Sequence, residues 1–509
     1  MTSETVCPVL VAGEWRSSDA VGTFAAENPS LAENLPGQFP ISSRAEVEAV
    51  IAAGVTAAEE LRALPGDRIA AFLEAFATGI EVRAAELVEL AHAESGLPRA
   101  PRLKDAELPR TTDQIRQAAK AAREGSWRRP VRDEARNIHA QAGPLGGPVV
   151  VMGPNNFPFA FNSSAGGDFA AAIAAHNPVI AKANGAHPGT TRLLTEIGFA
   201  AVQATGLPAA TLQMIYRTPR EVGLELVADP RVGATAFTGS RSAGLALKRA
   251  ADAAGRPIYL EMSSVNPIVI LDGALRERGE AVATEFFASC TMGTGQFCTN
   301  PGFILVPDTA AGHAFVAAAQ AKFTAANPGV LLGRGGRDHL TAAVATLRAA
   351  GAQLLCGGEA LPGPAYRFAN TLLSVTADQF LQQPQALQTE AFGPVALLVW
   401  TRGPAETVAI LRRMEGNLTG AIYSDTAGSD DADYAIIEPH LRARVGRLIN
   451  DRMPTGVAVS PAMNHGGPYP ATGHPGFTAV GLPASIQRFT ALHCYDNVRP
   501  NRLPAALRA

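Results

Sequence analysis

The chain has 509 residues, 47% hydrophobic and 17% charged, with a formal net charge of -3. Roughly two or three globular domains are expected, and there is no basic field for nucleic acid. No run of about 18 apolar residues suggests a membrane span, and the N-terminus lacks the basic-then-apolar order of a signal peptide, so a cytoplasmic protein is expected.

Residues 1–40 read as short strands and loops, with turn signals at Ala12-Gly13-Glu14 and Asn28-Pro29-Ser30. Ser43 and Glu46 form a capping-box pattern. Val47, Val50, Ile51, Val55, Ala58 and Leu61 follow at helical spacing. Asp67 is expected to cap a second helix with Ile69, Phe72, Leu73, Phe76 and Ile80 on one face. A third helix ends at Gly96-Leu97-Pro98, and a fourth covers about 111–123. The charged stretch 128–142 reads as an exposed hairpin or a linker.

From Pro148 the texture changes. Apolar runs at 148–152, 178–183, 211–216, 234–238 and 257–262 alternate with helical stretches near 163–175, 188–204, 218–228 and 241–253. Continuous apolar strands separated by helices predict a parallel sheet covered on both faces, with right-handed crossovers. A second series follows, with strands at 267–271 and 302–306, apolar stretches near 352–356 and 394–400, and helices near 277–292, 309–326 and 404–415. The fold class is therefore α/β, and ligands are expected at the carboxyl ends of the strands.

The polar motifs fall at those ends. Gly153-Pro154-Asn155-Asn156-Phe157-Pro158 aims an amide that can donate to a developing oxyanion, or it simply makes a turn. Lys182 ends an apolar strand, where it meets a ligand hydroxyl or phosphate or snorkels to solvent. Phe237-Thr238-Gly239-Ser240 opens a helix whose N-terminus suits a pyrophosphate, although a tight turn without ligand looks similar. Glu261 at a strand tip is a candidate general base, or a cap or ion-pair carboxylate. The five cysteines, Cys7, Cys290, Cys298, Cys356 and Cys494, lack the spacing of a disulfide framework or a metal site. Gly295-Gln296-Phe297-Cys298 places one of them just past a helix. A thiol becomes a nucleophile only as thiolate, so it needs an activating environment; otherwise a lone cysteine is a small buried hydrophobe. The turn Glu390-Ala391-Phe392-Gly393-Pro394 says little alone.

Taken together, and in this order, these pieces resemble the aldehyde dehydrogenase superfamily across roughly residues 10–498. The resemblance implies Cys298 as nucleophile, Glu261 as general base and Asn156 as oxyanion donor. It implies Lys182 at the cofactor ribose, Gly239 and Ser240 at the pyrophosphate, and Glu390 and Phe392 at the nicotinamide ribose. The segments 182–189, 261–267 and 465–472 are similar to the α-ketoglutaric semialdehyde (2,5-dioxovalerate) dehydrogenase branch and to the NADP-preferring fatty aldehyde enzyme of luminous bacteria. That branch implies oxidation of α-ketoglutaric semialdehyde to 2-oxoglutarate through a Cys298 thiohemiacetal and a thioester. A neutral or fatty aldehyde, acyl transfer to coenzyme A, and a non-catalytic protein on the same fold are the alternatives.

NAD-specific relatives usually carry a glutamate where Gly185 stands here, and Arg217 and Arg220 follow the next strand, where they can pair with a phosphate. NADP is therefore expected to be preferred, with NAD also accepted. On the substrate side Phe159 and His465 are expected to line the site. Asp451 and Arg452 depart from the branch, which commonly carries uncharged residues there, and Arg452 is either a clamp for a distal carboxylate or half of a surface pair with Asp451. The implied architecture is a Rossmann-like cofactor domain (1–125 and 147–262), a catalytic domain (263–483) and a small β oligomerisation element (126–146 and 484–509). A homodimer or homotetramer acting on a small-molecule aldehyde is implied, with no metal and no nucleic-acid or membrane partner.

Overall fold

The computed structural model describes residues 6–508; residues 1–5 and 509, at the ends of the expected divisions, lie outside the described residues. The first sheet has seven strands, in the spatial order Ile258–Glu261, Ala234–Thr238, Val149–Met152, Val179–Lys182, Leu212–Ile215, Val9–Val11 and Glu14–Arg16. The first five are parallel, and the N-terminal hairpin adds two antiparallel strands at one edge. Helices Gly167–Ala174, Pro188–Thr205, Arg220–Ala228 and Arg241–Ala253 connect the parallel strands, as the alternation predicts. From Val149–Met152 the chain builds outward first on one side and then on the other. A crevice opens where the winding reverses. Register aligns Lys182 with Met152, Met152 with Phe237, and Thr238 with Glu261, so the polar motifs leave the sheet along one edge.

Four helices, Arg44–Ala63, Gly66–Val82, Ala84–Ser95 and Leu108–Glu124, precede the parallel strands of that sheet. Phe72 and Phe76 from the second of them meet Phe169 edge-on, a favoured aromatic geometry. Two capping expectations change. Ser43 accepts from the Glu46 N–H at 3.1 Å, but the Glu46 carboxylate takes Ser18 Oγ at 3.0 Å and Asp19 N at 3.3 Å. Only half of the box forms, because the buried carboxylate anchors the incoming chain instead. Asp67 lies inside the first turn of its helix and does not cap it; there its charge faces the positive end of the helix dipole. Gly96 does terminate the third helix, in the left-handed conformation at φ 67°.

The second sheet also has seven strands, in the order Gln353–Cys356, Thr371–Thr376, Val395–Thr401, Phe303–Pro307, Pro267–Ile270, Asn417–Tyr423 and Val445–Asn450. All pair in parallel except the edge strand Gln353–Cys356. Strand Asn417–Tyr423 is wholly buried, yet local pattern does not announce it. Its Asn, Thr and Gly residues do not read as a strand, and the neighbouring strands impose the conformation. Helices Arg334–Ala349 and Asp431–Arg442 likewise come without a clear local signal.

Stretch 128–142 is a hairpin. Val131–Asp133 pairs with Ile138–Pro144, and the latter pairs antiparallel with the C-terminal strand Thr490–Asp496. The outer strand leaves Leu492 78% exposed. Among the described residues no helix is long and apolar enough to cross a membrane.

Candidate active site

Helix Asp272–Thr291 delivers the chain to the cysteine loop. Gly293, Thr294 and Gly295 all take positive φ there. At Gly295 a Cβ atom would lie 2.1 Å from the Gly393 carbonyl oxygen, so only glycine lets the loop press against the 393–394 turn. Asn266 Nδ2 donates to the carbonyls of Cys298 at 2.9 Å and Asn300 at 2.8 Å, and Gln296 Oε1 accepts from Leu332 N at 2.9 Å. Both ends of the loop are thereby held.

Three side chains then converge. Cys298 Sγ lies 3.5 Å from His465 Nε2, and the same nitrogen lies 2.9 Å from Glu261 Oε1. Their donor atoms all fall within 4.8 Å of one another. Glu261 and His465 are each only 2% exposed. The second carboxylate oxygen, Oε2, is buried with no protein partner among the described residues. A buried acceptor left bare is costly. Burial first, and the Glu261 carboxylate second, push the Cys298 thiol well above its usual range, while Arg110 pulls it the other way. The thiol is therefore protonated at rest, and its proton must pass to a neighbour before attack.

Asn156 faces the same point. One of its amide N–H groups donates to the Gln296 carbonyl at 2.9 Å, and the other has no partner among the described residues. Its loop is held from behind by a buried network. Arg102 Nη2 donates to the Asn156 carbonyl at 3.0 Å and Nη1 to Glu107 Oε2 at 2.5 Å. Glu107 Oε1 accepts from the backbone N–H groups of Phe159 at 2.8 Å and Ala160 at 3.0 Å.

A cleft of about 540 Å³ runs from this cluster along the edge of the first sheet. Asn156, Glu261 and Cys298 line one end, with Glu390 and Phe392 beside them; Lys182, Gly185, Gly239 and Ser240 line the rest. Ser240 accepts from Ala243 N at 3.4 Å and so caps helix Arg241–Ala253. The Gly239 N–H donates to the Glu261 carbonyl at 3.1 Å, which ties this turn to the catalytic strand. Glu390 Oε1 accepts from Ser264 N at 3.1 Å, and burial raises its carboxyl above the usual range.

Burial, reinforced by the neighbouring Arg217, pushes Lys182 down to about 8. Two cations thus line the cleft from neighbouring strand ends, an arrangement an anion relieves. Arg217 stacks on Phe24 with its guanidinium carbon 4.1 Å from the ring centroid. A Cβ at Gly185 would come within 2.3 Å of Arg217 Nε, so the missing side chain makes the room Arg217 occupies. Arg220 is exposed and lines an adjoining cavity of about 520 Å³ between helices Arg220–Ala228 and Arg241–Ala253, next to Lys182. These groups fit a dinucleotide: a basic strand end, a capped helix N-terminus and a carboxylate near the thiol.

The expected substrate residues divide. His465 lies between the thiol and the carboxylate, within the cluster. Phe159 does not face the site: it is 1% exposed and packs in the core of the first sheet, because its N–H is drawn to Glu107. The aromatic wall near His465 is instead Phe157, Phe161 and Phe297, with Phe157 meeting each of the other two edge-on and the Phe161 ring 5.9 Å from that of His465. Arg452 is exposed and has no pair with Asp451, whose Oδ1 accepts from Arg278 Nη2 at 2.5 Å and Ser424 N at 2.9 Å. Residues 102–110 escaped sequence reading. Nothing local sets Arg102 and Arg110 apart from the other arginines around them.

The comparisons agree with this geometry. The model of the aldehyde dehydrogenase family matches residues 15–435. The chain is 39% identical to alpha-ketoglutaric semialdehyde dehydrogenase 2 of Azospirillum brasilense, over 98% of this chain and 96% of that protein. It is 36% identical to alpha-ketoglutaric semialdehyde dehydrogenase of Acinetobacter baylyi, over 86% and 84% respectively. Among solved structures, 3,6-anhydro-L-galactose dehydrogenase in complex with NAP superposes with a TM-score of 0.83 at 23% identity, covering 96% of this chain and 99% of that one. A cysteine loop, a strand-end glutamate and a dinucleotide-sized cleft thus meet in a chain that belongs to the aldehyde dehydrogenase family, NAD(P)-dependent oxidoreductases acting on an aldehyde group.

Proposed function

We propose that this protein oxidises α-ketoglutaric semialdehyde to 2-oxoglutarate, with NADP preferred over NAD. The observation that carries the chemistry is the contact chain from Cys298 through His465 to Glu261, ending in an unpartnered carboxylate oxygen. In the tautomer that carries its hydrogen on Nδ1, His465 Nε2 receives the thiol proton; the new Nε2–H then donates to Glu261 Oε1, and the carboxylate steadies the imidazolium. The Cys298 sulfur attacks the aldehyde carbon. The oxygen that gains charge is held by the free amide N–H of Asn156 and the backbone N–H of Cys298, preorganised donors of the kind that contribute most to acyl-transfer catalysis. NAD(P), when bound, accepts the hydride. The acyl group left on sulfur is a thioester, and Glu261 Oε2 takes a proton from the water that attacks it. The acid departs and the sulfur is free again. Lys182, Gly239, Ser240, Glu390 and Phe392 hold the cofactor along the cleft.

The substrate reading is supported by the two curated relatives named for this semialdehyde. Its test is reduced-cofactor absorbance with purified protein, NAD and NADP each crossed with α-ketoglutaric semialdehyde, succinic semialdehyde and aliphatic aldehydes. The expected result is the highest kcat/KM with an acidic semialdehyde and NADP. Higher efficiency with neutral aldehydes would retain the mechanism and discard the substrate.

NADP preference is supported by the space at Gly185 and the Arg217 that fills it. Gly185→Glu pushes Arg217 aside or pairs with it, and puts a carboxylate where a 2′-phosphate would lie. Charge-assisted hydrogen bonds contribute about 1.5–3 kcal/mol. The kcat/KM with NADP is therefore expected to fall about 10- to 100-fold, with a much smaller loss for NAD. Equal losses for both cofactors would dismiss Arg217 as the discriminating group.

The division into cofactor, catalytic and oligomerisation parts belongs to the same proposal. The exposed edge strand Thr490–Asp496, with Leu492 facing outward, is suited to a homodimer or homotetramer in the cytoplasm.

A further inference from the structure

Two guanidinium groups act electrostatically on Cys298, those of Arg110 and Arg447. Their hydrogen bonding differs sharply. Arg447 is committed to the loop over the site: Nη2 donates to the Pro454 carbonyl at 2.6 Å, Nη1 to the Gly456 carbonyl at 3.0 Å and Nε to Thr419 Oγ1 at 3.4 Å. Arg110 makes no hydrogen bond among the described residues, and its Nε and Nη2 are closed off from solvent. Its neighbour one turn back, Glu107, has both oxygens engaged by Arg102 and by the backbone of Phe159 and Ala160. Glu261 Oε1 is likewise taken, by His465.

Arg110 therefore carries buried, unsatisfied donors at the aromatic wall beside His465. Helix Leu108–Glu124 holds it there. Its guanidinium carbon is 5.2 Å from the Phe161 centroid and 5.9 Å from that of Phe157, over the wall that also contacts His465. An unpaired buried cation is costly. A carboxylate answers both needs at once: it neutralises the charge and accepts two parallel N–H bonds from the planar fork. A thiolate alone supplies the charge but not the paired acceptors. Arg452, by contrast, is exposed and carries no such deficit.

We propose that Arg110 receives the distal carboxylate of the substrate and selects acidic semialdehydes over neutral aldehydes. This rests on the proposed substrate reading, and the experiment separates the two. The full-length protein and its Arg110→Met, Arg110→Lys and Arg452→Ala variants are assayed with succinic semialdehyde and with butanal, and the ratio of the two kcat/KM values is taken for each. In Arg110→Met the acid-to-neutral ratio is expected to fall about 10- to 100-fold, the range for losing a charge-assisted pair, mainly through KM for the acid. Arg110→Lys, which keeps the charge and most of the stem, is expected to recover part of it. Arg452→Ala is expected to hold the ratio within about twofold, as surface charges do.

An unchanged ratio in both Arg110 variants, with the unmodified protein still favouring the acid, overturns the inference and leaves the substrate reading standing. No acid preference in the unmodified protein overturns both. Equal loss for both aldehydes makes Arg110 only a support for the thiolate and overturns the clamp. Should Arg110→Met fail to fold, product inhibition by 2-oxoglutarate decides on Arg110→Lys: weaker inhibition than in the unmodified protein supports the clamp, and equal inhibition overturns it.

Discussion

Cys298→Ala is expected to reduce aldehyde oxidation by about six orders of magnitude, the scale on which deletion of a covalent nucleophile acts when its partners remain. Every later step uses the bond that this sulfur forms, so no aldehyde and neither cofactor should escape the loss. The fold should survive. The substitution removes one sulfur atom, while the loop stays fixed by Asn266, Gln296 and the close approach of Gly295 to Gly393. The check is reduced-cofactor absorbance, with a thermal melt run in parallel. Residual turnover within a factor of ten of the unmodified protein, in a folded variant, would end the covalent mechanism. Cys290 offers no substitute: it is fully buried, and that burial pushes its thiol up to about 12.

Glu261→Gln is expected to slow steady turnover by about two to four orders of magnitude, the usual contribution of a positioned general base. It should act at a different step. The glutamine amide is nearly the same size and can still accept from His465 through its oxygen, so thiol attack and hydride departure remain available. The atom lost is the bare carboxylate Oε2 that accepts the proton of the hydrolytic water. Mixing enzyme, aldehyde and cofactor rapidly should therefore give a burst approaching one reduced cofactor per active site, followed by a near stop. If the burst vanishes together with the turnover, Glu261 is required before the thioester forms, and its part in charging His465 outweighs its part in hydrolysis.

The positions of most chemical groups were legible as text because the family places them at the ends of apolar strands or in short glycine-flanked turns. Strand-length apolar runs mark where the chain must be buried. A lysine, a glutamate or a Gly-Ser pair at the end of such a run is conspicuous, since burial there has a cost that only a partner or a ligand offsets. The tips carrying Lys182, Gly239, Ser240 and Glu261 could thus be read before any coordinates. Asn417–Tyr423 could not, because its strand state is imposed by the neighbours on both sides.

What the sequence determined by itself was the α/β class, the order of the motifs and which thiol, carboxylate and amide are the candidates. All of these depend on residue type and local spacing. Only the tertiary structure decided which side chains touch. It placed His465, 204 residues from Glu261 along the chain, between that carboxylate and the thiol. It turned Phe159 into the core, left Arg452 in solvent and brought the unpaired Arg110 from an unremarkable helix to the aromatic wall. The physical reason is that spacing along the chain sets the direction of a side chain only within one element. Which elements face one another is settled by burying apolar surface over the whole molecule, and the partners of a buried charge are whatever that packing brings within reach.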